Sequence, residues 1–364
     1  MKKIAFVFGH IASSDGISRC AIAIANLIVA NRDYDVTLIP LFKVEKEALA
    51  TVDKRVHVKK VFGFYFHGLV RVVNIIPDKF LYKWIIGKGN YDLEIGFAFG
   101  LGTQIIGAKD IKTSAKRILW MHTYDYNMVY REQYMRVGHV VNVSRLNAIK
   151  LKEELGDNIE ISDYCHNPIK DDIIIQEGKV PVELSRGDGL LFVSVGRHSP
   201  EKGYLRLITI VRKLVDDGFN FKLLLVGDGP EHEMLKEKIK ELNLEGTIIL
   251  TGATSNPHKY TAKADVFVCS SFREGYSTAC TEALLLGVPI ITTAVGGSQE
   301  QIEDAECGIR CGLKDEDLYN ALKYVLETPD VIREWREILN HTKIRFTQQA
   351  RSEKLFDIID KALK

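Results

Sequence analysis

The chain reads as an α/β protein built from two doubly wound, Rossmann-like domains facing a cleft. Three observations predict this. Short apolar runs alternate with longer amphipathic stretches along the whole sequence, the pattern of parallel strands joined by helices on both faces of a sheet. The alternation breaks once, across a polar stretch from Asn167 to Gly189 that holds Pro168 and Pro181, and then restarts. The length of 364 residues exceeds one ordinary core and suits two.

In the first half the predicted strands are Lys3–Phe8, Asp35–Leu41, Asp92–Phe97, Arg117–Met121 and His139–Ser144. In the second they are Leu190–Val195, Phe221–Val226, Thr247–Thr251, Asp265–Cys269 and Val288–Thr292. Phe346, Ala350, Leu355, Ile358, Ile359 and Ala362 recur at helical spacing near the end. The divisions that follow are 1–170, 171–345 and a last helix over 346–364, with Asn167–Gly189 as linker. Doubly wound sheets bind ligands outside the carboxyl ends of their strands, so a cleft between two of them is the expected site.

The hydrophobic fraction of 46%, with 27% charged residues, is that of a folded protein. A net charge of +1 gives no whole-surface attraction for nucleic acid, so no nucleic-acid partner is expected. The cysteines at 20, 165, 269, 280, 307 and 311 are scattered through apolar patterns, as reduced thiols of a cytoplasmic protein are. Cys307 and Cys311 lack a second Cys/His pair. Asp33-Tyr34-Asp35 leads into a strand, and Asp315-Glu316-Asp317 opens a helix. No metal site and no cofactor are therefore expected. The opening run Met1–Phe8 is read as a buried first strand rather than a secretion signal, and no apolar run has the length of a membrane span.

One segment stands apart. Residues 61–88, "VFGFYFHGLVRVVNIIPDKFLYKWIIGK", interleave seven aromatics with Arg71, Lys79, Lys83 and Lys88. This composition fits a buried helix pair with snorkelling lysines. It equally fits an amphipathic surface lying on an anionic membrane.

Four strand-to-helix junctions carry the chemistry. In "SSFREGYSTACTEALLLGVP", Ser270–Pro289, Glu274 sits in a loop after a strand and Glu282 on the second turn of the helix from Thr278. Gly287 suits a left-handed helix stop. The amides around Tyr276–Ala279 are helix-start donors suited to an anion, and Gly275 leaves room for close approach. Ionised carboxylates repel phosphate but accept hydrogen bonds from hydroxyls. A sugar beyond one end of a diphosphate and a ribose beyond the other would satisfy both glutamates, the layout of a nucleoside diphosphate sugar. Solvated surface acids near a helix start are the plainer alternative.

In "VGRHSPEKGYLRL", Val195–Leu207, Arg197 offers a planar fork and Lys202 a compact charge for phosphate oxygens; an ordinary basic loop is the alternative. In "GHIASSDGISRCAIAIANL", Gly9–Leu27, Gly16 precedes a helix, either for a close ligand or within a loop capped by Ser13, Ser14 or Asp15. In "RILWMHTYDY", Arg117–Tyr126, His122 ends a buried strand, facing the cleft or simply packed. Gly227-Asp228-Gly229 follows a strand, but His232 stands where a dinucleotide fingerprint has its third glycine.

Together these motifs resemble the retaining GT-B glycosyltransferases of family 4. Glu274-Gly275 to Glu282 resembles their Glu-x7-Glu motif; Arg197 with Lys202-Gly203, Gly227-Asp228-Gly229-Pro230 and Asn167-Pro168 stand in the family's order. The resemblance implies an acceptor-binding domain over 1–170, a nucleotide-sugar domain over 171–345, and a last helix that crosses back to the first domain. It implies that Glu274 lies near the donor sugar, that Glu282 meets the ribose, and that Arg197 and Lys202 hold the diphosphate. The backbone of Gly275, Tyr276, Ser277 and Thr278 would approach the donor, Gly252, Ala253 and Thr254 would read the base, and Gly16 and His122 would lie near the transferred sugar. Departures are Asp15 in place of a second glycine before Gly16, Thr278, and Cys280.

The activity implied is metal-independent retaining transfer of a hexose or N-acetylhexosamine. The donor would be a nucleotide sugar, UDP foremost, and the acceptor a sugar or lipid-linked glycan, in polysaccharide or glycoconjugate synthesis at the inner membrane face. The alternatives are a sugar-nucleotide epimerase of the same fold and a non-catalytic sugar-nucleotide-binding partner subunit. An epimerase would convert donor without acceptor; a silent subunit would bind donor and leave it intact.

Overall fold

The structure is a computed structural model that describes every residue except Ser13, Ser14, Gly63, His67, Tyr126, Ser185 and Arg186. The chain divides into two compact units. The first comprises Met1–Ile169 with Arg351–Lys364, and the second Lys170–Ala350.

The first unit holds a parallel sheet of seven strands among the described residues: β1 Lys2–Phe8, β2 Tyr34–Pro40, β3 His57–Val58, β4 Leu93–Phe97, β5 Lys116–Met121, β6 His139–Asn142 and β7 Ile161–Tyr164. Their order is β3-β2-β1-β4-β5-β6-β7. In the second unit β8 Leu190–Val195, β9 Phe221–Val226, β10 Ile248–Gly252, β11 Val266–Cys269, β12 Ile290–Thr293 and β13 Ile309–Cys311 follow the order β10-β9-β8-β11-β12-β13. Each sheet therefore reverses direction beside its first strand, between β1 and β4 and between β8 and β11. At such a switch point the flanking loops splay apart and leave a crevice at the carboxyl edge.

Each unit has its own apolar core. One gathers Val7, Ile39, Ile105, Ile106, Leu119 and Val140. The other gathers Phe192, Leu207, Val211, Leu225, Val268 and Leu322. The stretch 167–189 is not simply a linker, because Asp171–Gly178 is a helix that buries Ile174. The structure corrects that expectation: two carboxylates in the first turn, Asp171 and Asp172, suit a helix start. The final helix runs Gln348–Ala362. Within the first unit its Arg351 donates to the Asn167 carbonyl at 3.0 Å, and Asp360 pairs with Arg32 at 2.9 Å.

The described residues of 61–88 are partly buried and partly exposed. Helices Leu69–Val73 and Asp78–Ile85 bury Leu69, Val73, Leu81, Tyr82 and Ile85. Phe64, Tyr65, Phe66, Ile75, Phe80 and Trp84 remain exposed. No helix among the described residues is long and apolar enough to cross a membrane.

Glu94 of β4 is buried in the first core, where the Tyr82 hydroxyl donates to both carboxylate oxygens at 2.8 Å. Burial outweighs the opposing pulls of Tyr82 and Arg117 and raises its pKa from 4.5 to about 7. A carboxyl raised on folding favours the folded state fully below its unfolded pKa, and loses that contribution as pH rises through the folded one. Glu94→Gln should match the wild type in thermal melts near pH 4.5. Above pH 7 it should be the more stable, by on the order of 3 kcal/mol before any loss of the tyrosine bond.

Candidate functional site

Lys202 and Glu274, 72 positions apart, meet at the switch point of the second unit with Lys202 Nζ 2.7 Å from Glu274 Oε1. Lys202 leaves the loop after β8, and Glu274 the loop after β11. The Ser271 hydroxyl also donates to Glu274 Oε1, at 2.7 Å. Burial disfavours the ammonium, but Glu274 beside it holds the Lys202 pKa above the ordinary lysine value. A small crevice beside the pair is lined by Ser194, Tyr204, Cys269, Ser277 and Ala279. Arg197, on the same loop as Lys202, is exposed.

Several contacts fix this geometry. The Ser270 hydroxyl donates to the Lys202 carbonyl at 2.8 Å, and the Phe272 amide to the Glu201 carbonyl at 2.8 Å. Thr293 Oγ1 donates to the Ser271 carbonyl at 2.6 Å. Gly203 turns the chain with φ +67°, a left-handed conformation that favours glycine, and a side chain there would strike the Ser270 carbonyl. Arg206 is buried behind both loops. Its guanidinium donates to the Ser270 carbonyl at 3.0 Å, to the Ser271 carbonyl at 3.1 Å and to the Leu313 carbonyl at 2.8 Å, and it stacks over Phe272 at 4.0 Å.

Glu282 sits on the helix Thr278–Leu285, with Gly287 beyond its end at φ +78°. The helix start is capped by the Ser277 hydroxyl, which accepts from the Cys280 amide. Tyr276 and Ser277 are buried. Glu282 Oε2 lies 3.3 Å from His258 Nε2, whose other ring nitrogen meets Glu177 Oε2 at 2.6 Å. Burial opposes a charge on His258, but the two carboxylates outweigh it and raise its pKa above 6.5. After β10, Gly252 is left-handed at φ +73° and its carbonyl accepts from the Gly227 amide at 3.1 Å. Ala253 is exposed, and Thr254 Oγ1 accepts from the Asn256 amide at 3.2 Å.

In the first unit the loops after β1 and β4 flank the other switch point. A cavity of about 320 Å³ opens there, lined by His10, Asp15, Phe42, Ala98, Phe99 and Gly100 among others. Ala98 holds φ +77°, the kind of backbone strain, about 1–3 kcal/mol, that gathers at functional sites. Asp15 caps the following helix, accepting from the Ile17 and Ser18 amides at 3.1 Å. Gly16 has open space where a side chain would begin, so the fold itself does not demand glycine there. Ser13 and Ser14, considered as caps, lie outside the described residues. His122 packs edge-on against Phe97 at 4.5 Å, and its Nε2 has no hydrogen-bond partner among the described residues. Burial lowers its pKa to about 4 against the pull of Asp15, so the ring is uncharged at neutral pH.

Of the residues that the sequence singles out, Lys202 and Glu274 are brought into contact; Arg197 shares the Lys202 loop, Glu282 meets His258, and His122 is packed in the first unit. The sequence does not single out Arg206, Ser271 or His258, which hold or pair with them. Arg206 did leave a signal, an arginine four residues before the buried Ile210 on an otherwise apolar helix face.

Two tandem doubly wound units of this strand order define the GT-B fold. The crystal structure of Anabaena Alr3699/HepE in complex with UDP matches it with a TM-score of 0.76, at 15% identity, over 99% of this chain and 100% of that one. Residues 176–342 match the family described as Glycosyl transferases group 1. Among curated relatives, the lipopolysaccharide core biosynthesis glycosyltransferase LpsD of Rhizobium meliloti is 28% identical over 82% of this chain and 84% of its own. The N-acetylgalactosamine-N,N'-diacetylbacillosaminyl-diphospho-undecaprenol 4-alpha-N-acetylgalactosaminyltransferase of Campylobacter jejuni is 32% identical over 48% of each chain. The share of a relative that this chain spans runs from 25% to 92%. The family match and the relatives' names support a transferase enzyme of the glycosyltransferase class.

Gly296 lies against the Glu274 loop, where an added methyl would collide with the Glu274 carbonyl oxygen. Gly296→Ala should lower stability by about 1–3 kcal/mol, the usual range for overpacking, and displace Glu274. Thermal melting and turnover should fall together.

Proposed function

We propose that this protein is a retaining glycosyltransferase. It moves a hexose or N-acetylhexosamine from a nucleoside diphosphate sugar, UDP-linked foremost, to a sugar or lipid-linked glycan acceptor. The Lys202–Glu274 pair at the switch point of the second unit carries this reading. It sets a held cation where a diphosphate would lie and a carboxylate where a sugar hydroxyl would lie. Arg197 supplies a second cation, and the amides at the Thr278–Leu285 helix start supply neutral donors. Glu282 is assigned to the ribose and Gly252–Thr254 to the base. The UDP preference draws on the Anabaena neighbour, and the lipid-linked acceptor on the printed name of the Campylobacter relative.

In the reaction the bond from the anomeric carbon to the phosphate oxygen breaks, and the acceptor oxygen bonds to the same face of that carbon. The acceptor proton passes to the departing phosphate. Negative charge grows on the diphosphate as the bond breaks, so Lys202, Arg197 and the helix-start amides stabilise the transition state more than the ground state. The scheme assigns this role to no metal. His122, uncharged, is assigned a hydrogen bond to the transferred sugar. Lys202→Ala should reduce kcat by about 10²- to 10³-fold, the cost of one preorganised donor, in an assay of sugar transfer or donor hydrolysis. A rate near wild type would overturn the scheme.

The acceptor is assigned to the first unit, where the cavity at its switch point is lined by Phe42 and Phe99. The exposed aromatics of 61–88, with Lys79 and Lys83 on the same helix, fit the headgroup region of an anionic membrane at the cytoplasmic face. The protein should therefore sediment with anionic vesicles at low salt. Phe80→Ser combined with Trp84→Ser should abolish this while leaving thermal melting unchanged, since both side chains are exposed.

A further inference from the structure

His198, Asp228 and His232 form a cluster in the second unit for which the proposed transfer has no use. His198 comes from the loop after β8. Asp228 comes from the loop after β9, and His232 opens the helix His232–Glu241 that follows. The two loops are fastened through their backbones. The His198 amide donates to the Asp228 carbonyl at 2.9 Å, and the Glu231 amide to the His198 carbonyl at 2.9 Å.

That fastening stacks the imidazoles, with centroids 5.0 Å apart and planes within 6°. Their Nδ1 atoms lie 3.0 Å from each other, and Asp228 Oδ1 lies 3.5 Å from His232 Nδ1. The Gly229 amide donates to the same Asp228 oxygen at 2.7 Å and orients it. His198 is fully buried, and its Nε2 has no hydrogen-bond partner among the described residues.

We propose that His198, Asp228 and His232 bind a divalent transition cation, zinc foremost. Tetrahedral zinc with bonds of about 2.0–2.1 Å sets neighbouring ligand atoms roughly 3.3–3.4 Å apart. The 3.0 Å contact, a hydrogen bond between the two imidazoles that a metal would replace, and the 3.5 Å separation straddle that value, and all three ligand atoms lie within 4.8 Å of one another. A mixed imidazole and carboxylate set suits zinc and its first-row neighbours; magnesium and calcium take oxygen ligands. The ligands are brought together by backbone bonds between adjacent loops, so binding requires little further ordering of the chain. His232 and Asp228 are partly exposed, with side-chain accessibilities of 23% and 56%, and give the ion a route in. Water completes the coordination.

The consequence is positional. His198 adjoins Arg197, so an ion here pins the loop that presents Arg197 and Lys202. A bound ion would thus stiffen the anion site without touching it.

The test uses the full chain, freed of metal with a chelator and titrated with zinc chloride by calorimetry, and with cobalt chloride by visible absorption. One zinc ion per chain and the intense visible bands of tetrahedral cobalt are expected. His198 is too buried for a clean substitution, so the variants are His232→Gln and Asp228→Asn. Each should melt as the wild type does without metal and bind zinc more than about tenfold more weakly, the low end of what even an outer-shell change costs. Failure of the wild type to bind saturably, or unchanged binding by His232→Gln, would overturn the proposal. Neither result bears on the transfer reaction, which is assayed separately through Lys202.

Discussion

The site depends on how two loops, from strands adjacent in the sheet but far apart in sequence, are locked to each other at the carboxyl edge. The ion pair of Lys202 and Glu274, at 2.7 Å, is the visible part of that lock. Beneath it the Arg206 guanidinium collects the Ser270, Ser271 and Leu313 carbonyls, the first two on buried residues. A buried arginine stripped of these acceptors, or the acceptors stripped of the arginine, would each carry a large desolvation cost. The charge on Lys202 is thus held in place before any ligand arrives. That is the condition under which a cation lowers a barrier rather than merely improving binding.

The first unit repeats the topology but not the chemistry. Its switch point, between β1 and β4, has no lysine–glutamate pair among the residues lining the cavity; it has aromatic rings, the imidazole of His10 and the capping carboxylate of Asp15. The same strand order thus carries a lysine–glutamate pair at one switch point and aromatic rings at the other, and side chains alone make the difference. Ala98, held at φ +77° between β4 and the glycine at 100, is a non-glycine residue with left-handed backbone in that pocket.

The central strands were the most legible part of the fold. Leu190–Val195 and Phe221–Val226 are found with the bounds that the sequence predicts, because strands buried on both faces appear as unbroken apolar runs. The strands that escaped prediction, His57–Val58, Ile161–Tyr164 and Ile309–Cys311, all lie at sheet edges. They are short and partly exposed, so neither a continuous nor an alternating pattern marks them. In the site, charged residues at strand-to-helix junctions could be read locally. His258 could not: its meaning comes from Glu177 and Glu282, 81 and 24 residues away, and nothing in the turn around it signals either partner.

That histidine bears on a difficulty in the proposed reading, which places two carboxylates around a diphosphate. An ionised carboxylate accepts hydrogen bonds from hydroxyls but repels phosphate oxygens, and the repulsion grows as water is excluded. Here neither acid is bare. Glu274 is paired with a lysine held charged, and Glu282 with a histidine whose pKa is raised above 6.5. Each acid thus has a basic partner at short range, which for Glu282 is shared with Glu177. On the proposed reading, Arg197 and the helix-start amides would add to Lys202 the positive potential that a diphosphate needs. A ligand with hydroxyls at both ends and negative charge in the middle would suit that reading, because any other order would set phosphate against carboxylate or leave a cation facing only neutral oxygens.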